Sequence, residues 1–261
     1  MRLIVKWALK RLASAAGGFY MSRIRSDMED VLNHMRGQGF IPQSVIDVGV
    51  ANGTKDLYEA FPNAQFVLVE PLREFEPYMQ SLQKKYKVRY ELAAAASTLG
   101  TITLNVHPDL CGSSTLKEVE DSNVNGVERT VPCVTLDSLI EKYSLDTPLL
   151  IKIDVQGGEL DVLNGAKNAM QMADAINLEV SLFGFFDGGP QLCDIVIFMK
   201  QNGFVVYEIY DGRNRLLDGA LAQVDMMFVK ENGMFKKDHA YATASQRKNQ
   251  DNKIQKVMKP F

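Results

Sequence analysis

Within seven residues, Asp47-Val48-Gly49-Val50-Ala51-Asn52-Gly53, the chain sets an acid, two glycines four apart and a small alanine between them. Glu70-Pro71 closes the next apolar run. Glycine allows sharp bends and lets a ligand approach the main chain closely. A carboxylate further along can accept from two neighbouring hydroxyls at once. Acid, small-residue turn and second acid are what an α/β protein needs to hold an adenosine-containing cofactor. The G-x-G-x-x-G spacing that seats a pyrophosphate on a helix N-terminus is missing. That absence counts against the alternative enzyme class for such a sheet, a nicotinamide-dependent oxidoreductase.

The turn reads D-x-G-x-A-x-G, and so resembles the D-x-G-x-G-x-G turn of S-adenosylmethionine (SAM) methyltransferases. SAM has no phosphate, a zwitterionic amino-acid part and a positive sulfonium. Asp47 suits its ammonium end and Glu70 its ribose diol. Gly49, Ala51, Asn52, Gly53 and Pro71 complete the expected cofactor wall.

Presenting these residues together requires strand, turn, helix, strand. Ser44 to Val48 is too short and too β-branched for a helix. A helix follows from near Thr54 to Phe61, ended by Pro62-Asn63. Gln65 to Glu70 is the second strand, with Glu70 at its carboxyl end, where open α/β sheets bind ligands. A helix runs to Tyr86, and a third strand, Lys87 to Ala94, brings Ala93 to the cofactor side. Gly100 to Val106 is a further strand. The polar stretch 107–128 has the length of a lid or binding element. In it, Ser113 and Ser114 are placed to close over the cofactor, and His107 is a candidate acceptor-side base. Thr130 to Val134 reads as an edge strand because of Pro132, and Leu136 to Tyr143 as a helix. Pro148 to Val155 is a continuous apolar run, buried on both faces as in a parallel sheet. Helix Glu159 to Gly165, strand Ala175 to Val180, an aromatic and glycine-rich loop Phe183 to Pro190, helix Gln191 to Gly203 and strand Val205 to Tyr210 follow. A hairpin-like connection, Asp211 to Gly219, leads to strand Asp225 to Val229. The expected fold is α/β and Rossmann-like: a mostly parallel seven-stranded sheet with one antiparallel strand, plus N-terminal helices.

Charge divides the chain into a basic helical extension (1–40), the α/β domain (41–235) and a polar basic tail (236–261). Residues 1–25 carry six basic residues and no acid, while 26–235 hold 16 basic against 30 acidic residues, a formal −14. So acidic a body argues against a nucleic-acid groove. Residues 1–13 have the pattern of an amphipathic helix, with Trp7 and a basic face suited to peripheral membrane contact. No apolar run reaches the length of a membrane span. Three widely spaced cysteines, Cys111, Cys133 and Cys193, read as reduced thiols in a cytoplasmic protein.

Lys152-Ile153-Asp154-Val155-Gln156-Gly157-Gly158-Glu159-Leu160-Asp161-Val162-Leu163-Asn164-Gly165-Ala166 resembles the K-I-D-V-E-G-x-E-x-x-V-L-x-G-A segment of the FkbM family of SAM-dependent methyltransferases. It departs at Gln156, where the family usually has Glu. Glu70-Pro71, Thr135-Leu136-Asp137 and the final strand Val224 to Lys230 fit as well. The turn at 47–53 fits with its small residue shifted by one. The resemblance covers roughly residues 44–230. It implies SAM as cofactor and, usually, O-methylation of sugars, polyketide-type products or other small hydroxylated molecules.

A hydroxyl acceptor must be positioned against the methyl and lose its proton. Asp154 or Glu159 is the expected acceptor-orienting carboxylate or base. Lys152 tunes or pairs with Asp154. Glu179, Phe183 and Phe185 are expected on the acceptor side. Mg²⁺ held by Asp154, Glu159 and Glu179 is an alternative, and the sequence does not call for a metal. A non-enzymatic scaffold that keeps the fold is the reading that Gln156 alone would favour.

Overall fold

The computed structural model describes residues 24–120 and 123–257, so the amphipathic reading of 1–13 lies outside the described residues. Asp27 caps helix α1 (Met28–Gly37) by accepting from the Asp30 N–H, and the helix buries Met28, Val31, Leu32 and Met35. Then come β1 (Ser44–Val48), α2 (Lys55–Ala60), β2 (Gln65–Val69), α3 (Glu76–Gln83) and β3 (Lys87–Glu91). A small sheet follows from β4 (Ala94–Ala95), β5 (Gly100–Val106) and β6 (Val127–Val134). The chain continues through α4 (Leu136–Tyr143), β7 (Leu149–Ile153), α5 (Glu159–Asn164), α6 (Lys167–Met172) and β8 (Ala173–Ser181). It closes with α7 (Leu192–Gln201), β9 (Phe204–Asn214), β10 (Leu221–Lys230) and α8 (Ala244–Val257).

The main sheet has seven strands in the order β3-β2-β1-β7-β8-β10-β9. Only β10 runs antiparallel to its neighbours, β8 and β9. This is the expected class. β1 and β7 are buried at every position, and their side chains alternate between two cores. Ile46 and Val48 pack with Leu136, Val162 and Ile195 from α4, α5 and α7. Val45 packs on the other face with Leu32, Leu57 and Met79 from α1, α2 and α3. Strand order reverses between β1 and β7, and in open α/β sheets the crevice beyond such a reversal receives the ligand.

The second sheet departs from expectation. The third strand stops at Glu91, and β4 leaves the main sheet to pair with β6 at Cys133 and Val134. Order in this three-stranded sheet is β4-β6-β5, so β6 is its middle strand, not an edge. Pro132 is tolerated because β4 ends short of it and only β5 flanks it there. Sequence reading also misses α6, six residues too short to show a helical period. Arg25–Lys237 forms one compact unit, so the boundary expected at residue 40 falls inside it. In the second unit, the polar basic tail contains helix α8. Among the described residues no helix is long and apolar enough to cross a membrane.

Candidate active site

The turn after β1 is made rigid by its own chemistry. Gly49 has φ +73, and a Cβ there would lie 1.7 Å from the Asp154 carbonyl oxygen, so no larger residue fits. Ala51, also left-handed at φ 41, donates its N–H to Glu70 Oε2 at 2.9 Å. Leu72 N–H donates to Glu70 Oε1 at 2.9 Å. One carboxylate therefore joins the turns after β1 and β2, and each of its oxygens keeps acceptor capacity for a further donor. Burial pushes the Glu70 carboxyl above the usual range, against the two N–H donors and Lys152.

These turns open on a cavity of about 250 Å³ at the carboxyl ends of β1, β2 and β7. Gly49, Ala51, Glu70 and Pro71 line it from the turns after β1 and β2, and Asp154, Gln156 and Arg213 from beyond β7 and from β9. Leu110, Cys111, Ser113 and Thr115 line it from the 107–119 loop. Ser114 itself does not line it; its hydroxyl donates to the Gln156 carbonyl at 2.6 Å and so fastens that loop across the cavity. The alanine reading is out by one or two: Ala94 and Ala95 face the cavity, while Ala93 is buried away from it.

Asp47 is fully buried beneath the turn, not in the cavity wall. It accepts from the Tyr58 hydroxyl at 2.5 Å and the Thr54 hydroxyl at 3.3 Å, with the Lys152 ammonium at 3.5 Å. Burial, then the Asp47 charge, raises the Tyr58 phenol far above its ordinary value. Lys152 donates to the Gly49 carbonyl at 3.1 Å and lies 3.5 Å from Asp154 Oδ2. Burial works to discharge this ammonium, but Asp154, Asp47, Asp225 and Glu179 outweigh it and hold its pKa above the lysine norm. Lys152 thus ties the two central turns together. Asn52 is exposed and Gly53 packs on the Tyr78 ring; neither lines the cavity.

Beyond β7, Asp154 is the predicted carboxylate that reaches the cavity. Glu159 does not: its Oε1 turns back to accept from Gly157 N–H at 3.1 Å and Val155 N–H at 3.4 Å. Burial raises its pKa to about 7. Glu159 shapes the turn that carries Gln156. Glu179 stands behind that turn, accepting from Gln156 at 2.7 Å, from Gln223 at 3.0 Å and from Arg213. Burial, then the Asp154 charge, lifts Glu179 to about 8; the same two causes lift Asp225 to about 6.

His107 pairs with Asp109 at 2.6 Å and lies outside the cavity wall. The Phe183 and Phe185 rings meet at a tilt, centroids 5.7 Å apart, with the Arg215 guanidinium over Phe183, and do not line the cavity either. The structure adds Arg213, which sequence reading missed because Asp211-Gly212 signals a turn. The β9–β10 ladder shifts register there, Asp211 takes φ 49, and the strand continues to deliver Arg213. Thr135 caps α4, and Asp137 accepts from Ala169 N–H at 2.9 Å, so Thr135-Leu136-Asp137 is a structural motif. Among the described residues, no group of three or more His, Cys, Asp or Glu is arranged to hold a metal ion.

A parallel sheet with a single antiparallel strand next to its edge, and a glycine turn and acid facing its reversal point, define a methyltransferase-type α/β protein. The profile of the methyltransferase FkbM domain matches residues 47–206, and the chain belongs to that family. Hexuronic acid methyltransferase AglP of Haloferax volcanii is 35% identical over 51 residues, 20% of this chain and 21% of that protein. The match thus spans about a fifth of that relative's length. Among solved structures, magnesium protoporphyrin IX methyltransferase from Synechocystis PCC 6803, with bound SAM, is similar at a TM-score of 0.45 and 12% identity, covering 77% of each chain. N-methyltransferase NodS from Bradyrhizobium japonicum WM9 gives 0.43 and 9%, covering 77% of this chain and 93% of its own. Both scores are low, and the fold rests on the strand order itself.

Proposed function

We propose that the chain is a SAM-dependent O-methyltransferase whose acceptor is a hydroxyl on a sugar, a glycan or a small natural product. The observation that carries this reading is the cavity at the sheet's reversal point, lined by both Glu70 and Asp154. Glu70, oriented by two backbone donors, is set to receive a diol; Gly49 leaves the main chain bare for close approach. SAM, when bound, supplies an activated methyl and a neutral leaving group. Asp154 holds the acceptor hydroxyl and takes its proton, and most of the rate follows from that positioning. Arg213 keeps donors beyond those used on Glu179 and orients neighbouring acceptor oxygens. The 51-residue match to a hexuronic acid methyltransferase supports a sugar acceptor.

Calorimetry with SAM and S-adenosylhomocysteine tests the cofactor; no binding by folded protein sinks the proposal. A second readout is internal. Cys111 is exposed and lines the cavity, Cys193 is exposed elsewhere, and Cys133 is buried. S-adenosylhomocysteine is expected to slow alkylation of Cys111 and leave Cys193 unchanged. Incubation of labelled SAM with cell extract, followed by fractionation, then finds the acceptor; label in protein alone overturns the sugar, glycan or small-molecule reading.

A further inference from the structure

The Gln156 side chain sits where two carboxylates converge. Its Nε2 lies 2.8 Å from Asp154 Oδ1 and 2.7 Å from Glu179 Oε2. An amide nitrogen has two hydrogens and both are used, one on each acid. The rest of the pair is met by cationic and amide donors from three strands. Lys152 on β7 faces Asp154; Arg213 on β9 and Gln223 on β10 face Glu179. Asp225 on β10 adds a further negative charge nearby.

The backbone is bent to put the amide there. Gln156 has φ 56, uncommon outside glycine. Ser114 fastens its carbonyl, and the neighbouring Gly157 N–H is held by the buried Glu159. A left-handed residue kept in place by two separate contacts is a constraint that points to a task for its side chain.

We propose that Gln156 is a positioning residue that takes the place of a cation, joining Asp154 to Glu179 so that the Asp154 carboxyl is held toward the acceptor. Two carboxyl groups this close are reconciled by a proton, a metal ion or a set of donors; burial and the Asp154 charge already favour a proton on Glu179, and the amide adds a donor to each carboxyl. The inference rests on the proposed role of Asp154 as the acceptor-facing carboxylate.

Replacing the amide with a third carboxylate converts this arrangement into an all-oxygen site for a hard divalent ion. Mn²⁺ binding, followed by electron paramagnetic resonance on the full chain, reads this without any acceptor. Gln156→Glu is expected to raise Mn²⁺ affinity at least tenfold over the unmodified protein, and Asp154→Asn in that background to abolish the gain. Should Gln156→Glu not fold, Gln156→Ala, which frees both carboxylates, carries the same comparison with a gain of several-fold. A folded variant that binds Mn²⁺ no better than the unmodified chain overturns the proposal. So does an unmodified chain that already binds as tightly and loses the ion on Asp154→Asn. S-adenosylhomocysteine calorimetry on the unmodified chain runs alongside; its failure removes the cofactor reading and leaves the Mn²⁺ comparison standing.

Discussion

Two acids that the sequence presents alike, Asp47 and Glu70, have opposite roles. Asp47 has no face on the cavity and balances the buried Lys152. Asp47→Ala strips a buried ammonium of a partner and is expected to cost about 3–5 kcal/mol of stability, read by urea unfolding. Glu70→Ala is expected to cost about 1–3 kcal/mol in S-adenosylhomocysteine affinity, read by calorimetry on the folded variant. Glu159 carries a pH prediction. Burial raises its carboxyl from 4.5 to about 7, so the folded chain holds that proton more tightly than the unfolded one. Its contribution is complete below about pH 4.5 and is lost as pH rises through about 7. Glu159→Gln keeps an acceptor for the Gly157 N–H and cannot ionise. Between pH 5 and 8 the unmodified protein should lose about 1–3 kcal/mol more stability than this variant. Equal pH dependence in the two would refute it. Acid types and spacing located all three residues in the sequence. Which way each side chain turns depends on partners such as Tyr58 and Lys152, remote in sequence or on another strand, and no local pattern encodes that.

At the scale of elements, the 107–119 loop ties the cofactor wall to the aromatic loop 183–190. Ser114 holds the Gln156 carbonyl, Val119 N–H donates to the Phe185 carbonyl at 2.9 Å, and Asp187 N–H donates to the Lys117 carbonyl at 2.8 Å. Ligand bound beneath this strap should therefore slow exchange in both segments together. Hydrogen exchange with and without S-adenosylhomocysteine checks this; protection confined to 47–53 would contradict it. Elements with strong local signals were legible nearly to the residue. β1, α4 and α5 had β-branched runs, a capping Thr135 or a glycine stop. Strands β4, β5 and β6 were legible as extended chain, but their separation from the main sheet was not, because sheet membership is a matter of long-range pairing. The extension of β9 to Arg213 was hidden by a bulge that imitates a turn.

At the scale of the molecule, the hydrophobic cores found among the described residues draw on residues between Met28 and Phe235, inside the unit Arg25–Lys237. A fragment spanning that unit keeps these core residues and every residue that lines the cavity among the described ones. It is expected to unfold cooperatively and to bind S-adenosylhomocysteine within about twofold of the full chain, by thermal melt and calorimetry. Gly49 bears on how such proteins can be rearranged. Its missing side chain makes room for the Asp154 carbonyl, and its own carbonyl is held by Lys152. The two halves of the sheet, more than a hundred residues apart in sequence, are therefore inherited as a matched pair. A chimera that takes β1 from one parent and β7 from another must carry both turns from the same parent, and library recombination with a crossover between them should yield few folded clones.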